Sequence, residues 1–149
     1  DAGKRRRGVP TDETLKCHLS GKGPIGPIDG DDPTIGLLGL GWSPWTPADR
    51  VIEELTSDDV GLYLLRRRGA GRLLYVGEGK IRNRVVAHLR KGRLEGHPQA
   101  FAFCDASSVE FSYVQRNDLA KHQLLEIEND LIAAHIIQTG VVPDAQFLG

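Results

Sequence analysis

Glu128 is an acid in apolar company. On a helix drawn through the segment LLEIENDLI, Leu124, Leu131 and His135 fall within a narrow arc, Leu125 and Ile127 lie to either side, and Glu128 projects into the middle. Glu126 points to the opposite, solvated face. An ionised carboxylate in such a stripe is costly unless it is paired or holds a metal. Three arrangements meet that need: a metal ion, an ion pair with Arg84, or a neutral acid hydrogen-bonded to backbone. A single carboxylate suits a Mg²⁺-like ion, which takes oxygen ligands and keeps several waters, leaving positions for a phosphate oxygen. Arg84 and His88 stand four residues apart, one turn along one helix face. That spacing gives His88 the reach to orient water or shuttle a proton, or simply to hydrogen-bond a tyrosine hydroxyl.

The charge pattern names the kind of partner. Formal net charge is −1, from 19 Lys and Arg against 20 Asp and Glu, so the chain as a whole has no basic excess. Residues 66 to 93 nevertheless hold ten cations (Arg66, Arg67, Arg68, Arg72, Lys80, Arg82, Arg84, Arg90, Lys91, Arg93) and one acid, Glu78. A segregated basic segment is the footprint of a phosphate-backbone partner, and nucleic acid is the expectation. The plain alternative is a solvated charged surface.

These residues need elements to position them. The runs VGLYLLR at 60 to 66 and RLLYVG at 72 to 77 flank a glycine-containing loop, which predicts a hairpin. An odd loop pairs Arg66 with Arg72 and sets Tyr63 directly opposite Tyr75, both on one face; an even loop separates them. Ile81, Val85 and Leu89 recur every four residues and predict a helix with Arg84 and His88 at the edge of its buried stripe, with Gly92 as its C-cap. VEFSYVQ at 109 to 115 predicts a third strand, and Asp118 to about Thr139 the longest helix, closed by Gly140. Thr46 is the expected N-cap of a short helix from Pro47 to Leu55, and the tail with Pro143 and Phe147 should fold back on the core. Trp42 and Trp45 are expected to cap the core edge, and His135 to be a satisfied core histidine.

Gly61-Leu62-Tyr63, eleven intervening residues, then Tyr75-Val76-Gly77 resembles the paired signature of GIY-YIG nucleases. Arg84 and His88 keep the spacing of that family's helix motif, and Glu128-Asn129 resembles its metal-binding segment. The resemblance covers roughly residues 60 to 140. It implies an α+β fold, a three-stranded antiparallel sheet flanked by helices, and hydrolysis of phosphodiester bonds with one Mg²⁺ or Mn²⁺ held by Glu128. Carried to the matching residues, it has water attack phosphorus with help from Tyr63 or Tyr75 while Arg84 neutralises the pentavalent phosphate, and it makes His88 and Glu128 part of the catalytic set. A tyrosine near its ordinary pKa of ~10 is a poor base at neutral pH, so a cation, Arg84 or Lys80, is expected to lower it. Lys80, Arg82 and Arg72 are the expected substrate contacts.

The chain also departs from the family pattern. Tyr75 and Arg84 are one residue closer than the family pattern, which tightens the turn into the helix and puts the role of Lys80 in question. The asparagine that often follows the metal helix has no clear match, and Gln146 is its possible replacement. Glu78, beside the expected phosphate site, opposes an anion unless it points away. The division expected is an irregular, basic and Gly/Pro-rich arm or wrapping segment at 1–47 and a GIY-YIG-like nuclease domain at 48–149. Function is expected to be endonucleolytic cleavage of nucleic acid, double-stranded DNA ahead of RNA. Its rivals are a binding module that does not cut and a toxin-type or restriction-type module cut from a larger protein. Methionine is lacking even at position 1, as in a processed or trimmed chain or a piece with a missing partner domain. Cys17 and Cys104 form no CxxC pair, no run approaches a membrane span and no signal peptide is evident, so the expected setting is a reducing cytoplasm, away from membranes.

Overall fold

Apolar residues fill almost every position of the central strand, so that strand must be covered on both faces. The computed structural model describes residues 40–103 and 105–147. In chain order the elements are β1 (Thr46–Pro47), α1 (Ala48–Glu54), β2 (Val60–Arg67), β3 (Leu73–Lys80), α2 (Ile81–Arg93), α3 (Ala100–Phe103), a 3-10 turn at Ala106–Ser108, β4 (Val109–Gln115) and α4 (Lys121–Thr139). The sheet runs in the order β1-β4-β2-β3. Every pairing is antiparallel. The architecture is therefore α+β with four strands, the three expected plus a two-residue edge. On one face Val51, Leu55, Leu65, Leu74, Ile81, Val85, Phe103 and Phe111 join the first three helices to the sheet. On the other, Leu62, Leu64, Leu73 and Val76 pack against Leu124, Leu131 and Ile132 of α4. No helix among the described residues is long and apolar enough to cross a membrane.

The hairpin register corrects the sequence-based expectation. Tyr63 pairs with Gly77 and Leu65 with Tyr75, while nearer the turn Arg66 pairs with Leu73. Running the ladder unbroken from Arg66 and Leu73 would set Tyr63 opposite Val76 and turn the tyrosines to opposite faces. A bulge at Leu74 restores the parity. Its mark is that Leu74 and Tyr75, although consecutive, both face the core beneath α1 to α3. The two tyrosines thus share a face, but offset by two positions along the ladder instead of directly opposed.

Other boundaries shift for local reasons. Thr46 is no helix cap: it pairs with Phe111 in the sheet, and its hydroxyl donates to the Pro44 carbonyl at 2.8 Å. Pro47 stands at the N-cap without a side-chain bond. Helix α2 runs through Gly92 to Arg93, with Leu94 as its C-cap. Helix α4 starts at Lys121 instead of Asp118, because Asp118 is engaged by the guanidinium of Arg116 and the Ala120 N–H donates to the Gln123 side chain at 2.9 Å. Gly140 closes α4 with φ 79°, a left-handed turn suited to glycine. The tail then returns along β3: Asp144 N–H and Ala145 N–H donate to the Leu73 and Leu74 carbonyls at 3.1 and 2.7 Å. Trp42 is buried in the α4-side core and Trp45 lies under the Arg66 guanidinium, 4.1 Å from ring centroid to carbon. Both cysteines and the basic run Lys4 to Arg7 lie outside the described residues.

Candidate active site

The site begins with a missing side chain. A Cβ on Gly77 would lie 2.3 Å from the hydroxyl and adjoining ring carbon of Tyr63, so only glycine lets that ring lie across β3. Tyr75 stacks beside it, with centroids 6.1 Å apart. From α2, His88 enters edge-on to Tyr75 at 4.7 Å, and its Nε2 lies 2.7 Å from the Tyr63 hydroxyl. The direction of that hydrogen bond follows the imidazole tautomer. Phe103 closes the far side of the ring at 4.8 Å. The outcome is a buried Tyr63–His88 pair behind a half-buried Tyr75.

Because β3 is an edge strand, elements from both faces of the sheet meet around it. A cavity of about 510 Å³ there is lined by Tyr63, Tyr75, Gly77 and Glu78 from the hairpin, Arg84 from α2, Leu125, Glu128 and Asn129 from α4, and Gln146 and Phe147 from the tail. A second cavity of similar size shares Glu78 and Arg84 and adds Lys80, Asn83 and Lys121, among others. Gly79 sits where the two meet: its φ of +118° is glycine's own, and a Cβ there would come to 3.4 Å from Arg84 Nε.

Electrostatics separate the titratable groups. Burial pushes the Tyr63 hydroxyl well above its ordinary value, with Tyr75 adding to it and Arg84 opposing. Tyr75 is raised by burial and then by the Glu128 charge, again against Arg84. The expected lowering by a cation is present but outweighed, so both phenols stay neutral. Burial carries His88 down to about 3, helped by Lys91 and Arg84, and the ring is neutral. Burial also lifts Glu128 to about 7, the neighbouring Glu78 pushes the same way, and Lys121 and Arg84 pull back. Glu78 itself is buried, with one oxygen paired to Lys121 and the other, Oε2, without a hydrogen-bond partner.

Tyr63, Tyr75, Arg84 and Glu128, far apart in sequence, therefore line one cavity, with His88 hydrogen-bonded directly behind. Lys80 lines the adjoining one. Arg72 and Arg82 line neither: Arg72 pairs with Asp144 at 2.5 Å, and Arg82 donates to the Ile52 carbonyl at 3.1 Å. Gln146 reaches the cavity, but its amide is occupied, accepting from Val76 N–H at 2.8 Å and donating to Val76 C=O at 3.0 Å. Sequence reasoning missed Lys121, whose only signal is its place two turns before Glu128, and treated Glu78 as an intruder. Oxygen donors suited to a hard divalent ion are present in Glu128 and the unpartnered Glu78 oxygen, so the residues fit such an ion. Among the described residues, no group of three or more His, Cys, Asp and Glu converges to hold a metal. No family model matches this chain, and no curated protein or solved structure matches it either.

Proposed function

We propose that the protein is a metal-dependent endonuclease that hydrolyses phosphodiester bonds, with double-stranded DNA as substrate, and that its finer fold assignment is a GIY-YIG-like domain. One observation carries the reading: two tyrosines, an arginine and a half-buried glutamate from four separate segments line a single cavity. The three long strands, with α2 on one face and α4 on the other, support the same assignment. Glu128 would hold the ion, and a bound divalent ion there supplies Lewis-acid polarisation of a phosphate oxygen and activation of water. Arg84 offers parallel guanidinium donors to the phosphate as negative charge builds. Tyr75, the more exposed phenol, orients the attacking water as a neutral hydrogen-bonding group. Tyr63, fixed by His88, holds Tyr75 in place by stacking. Lys80 steers the strand entering the adjoining cavity.

A second reading, a module that binds nucleic acid without cutting it, draws support from the raised tyrosines, which make poor bases. Incubation with supercoiled plasmid in Mn²⁺, Mg²⁺ or EDTA separates the two. Nicking in the divalent ions and not in EDTA is expected. Tight binding with intact plasmid under every condition would leave the binding module standing and the nuclease reading overturned.

A further inference from the structure

Glu78 is the residue of the cavity that the proposed mechanism leaves unused. It follows directly on Gly77 at the edge of the sheet, its side chain is 5 % exposed, and it faces α4, where Lys121 pairs with its Oε1. Oε2 has no hydrogen-bond partner. A buried carboxylate oxygen left bare costs free energy that a structural ion pair alone does not recover. Glu128 lines the same cavity, two turns along α4 from Lys121, close enough for the two negative charges to repel. Two carboxylates brought together from different elements, one with an oxygen held out of water and unsatisfied, form an oxygen-only pair of the kind a hexacoordinate divalent ion uses while it keeps waters and takes a phosphate oxygen. The side chains that could complete an all-protein cage are not there, since no group of three ligating residues exists among the described residues.

We propose that Glu78 is a second ligand of the divalent ion, so that the site is a two-carboxylate centre built from β3 and α4, with the Lys121 ammonium offsetting the Glu78 charge until the ion takes its place. The inference rests on the metal-dependent reading above, but it concerns binding of the ion and is tested without nucleic acid. Mn²⁺ binding is measured by calorimetry and by the loss of the free-ion electron-spin signal, on wild type, Glu78→Gln, Glu128→Gln and Lys121→Met. Glu78→Gln is expected to weaken Mn²⁺ at least about tenfold, as losing one charged ligand of two should, and Glu128→Gln as much or more. Lys121→Met, which releases Glu78 from its cation, is expected to leave Mn²⁺ affinity unchanged or raise it. If Glu78 serves only the ion pair, Lys121→Met and Glu78→Gln will instead agree, both lowering melting temperature in EDTA and neither weakening Mn²⁺, and the inference falls. Should Glu78→Gln fail to fold, weaker Mn²⁺ binding in Lys121→Met would overturn the inference on its own. Plasmid nicking by wild type separates the two readings. Nicking with a wild-type Mn²⁺ affinity in Glu78→Gln keeps the nuclease and removes the second ligand; Mn²⁺ binding that needs Glu78 without nicking keeps the centre and removes the cleavage.

Discussion

At the residue scale the arrangement assigns different work to groups that look alike in sequence. Arg84 is aimed into the cavity, whereas Arg72 and Arg82 are bound to protein acceptors. Arg84→Ala is therefore expected to lower kcat by roughly 10²–10³-fold with little change in nucleic-acid affinity, read from single-turnover cleavage and a binding titration. Arg84→Lys should recover little, because an ammonium cannot offer two parallel donors. His88 gives a pH signature. Its folded value of about 3 lies below the ordinary 6.5, so below pH 6.5 the unfolded ring takes up a proton that the folded one refuses. Stability from this group is fully present above 6.5 and is lost as pH falls toward 3, at no more than about 1.4 kcal/mol per pH unit. Glu128, lifted to about 7, gives the opposite slope between about 4.5 and 7, so the His88 slope is read in a Glu128→Gln background: urea unfolding of that variant between about pH 4 and 7 should show it, and adding His88→Gln, which keeps a polar partner for Tyr63 but cannot titrate, should flatten it. An equal slope in the variant would assign the acid sensitivity to other groups.

At the scale of elements the glycines and the bulge do the positioning. Gly77→Ala puts a methyl group into the Tyr63 ring, and the expected cost is about 1–3 kcal/mol with loss of activity as the ring is displaced. Melting temperature and near-ultraviolet circular dichroism check both. Gly61→Ala should be worse, since its Cβ would lie 1.8 Å from the Val114 carbonyl oxygen, which belongs to backbone and has no rotamer to change. Strand and helix identities were legible in sequence because β2 and β3 are apolar runs flanking a glycine-containing loop and β4 and α2 carry apolar periodicity; β4 has the bounds its pattern indicates. The grouping of Tyr63, Tyr75, Arg84 and Glu128 was an implication of the family resemblance that their order and spacing carry, and these residues do line one cavity. The bulge was not, because Leu73 and Leu74 are both apolar and alternation cannot show which of two leucines is the extra one. Nor was the place of Glu78: its burial depends on α4 crossing the sheet edge, a tertiary event that leaves no local trace. The occupied amide of Gln146 was hidden for the same reason, as its partner Val76 lies seventy residues earlier.

Across the whole molecule, four of the ten cations of the basic segment are bound to protein acceptors. Arg66 pairs with Glu110, Arg67 donates to the Phe101 carbonyl, and Arg72 and Arg82 are engaged as described. If the protein binds DNA as proposed, the salt dependence of that binding should reflect those commitments. If all ten cations neutralised phosphates the log-log slope would approach about −9; with four of them committed to protein, it should be no steeper than about −5. Affinity measured over a salt series decides, and a slope near the larger figure would mean that the internal pairs open on binding. The tail along β3 has a consequence of another kind. A sheet has two borders, and an uncovered border invites another chain to add a strand. Here one border carries the two-residue strand Thr46–Pro47, and the other is covered from Leu73 to Val76 by Asp144, Ala145 and the Gln146 amide. The first half of the strand that carries Tyr75 is thus kept out of intermolecular pairing by the last few described residues. Removing residues 143–149 should convert the protein into a concentration-dependent self-associating species, visible by light scattering, in which copies dock strand to strand through the Leu73–Val76 border that the tail otherwise covers.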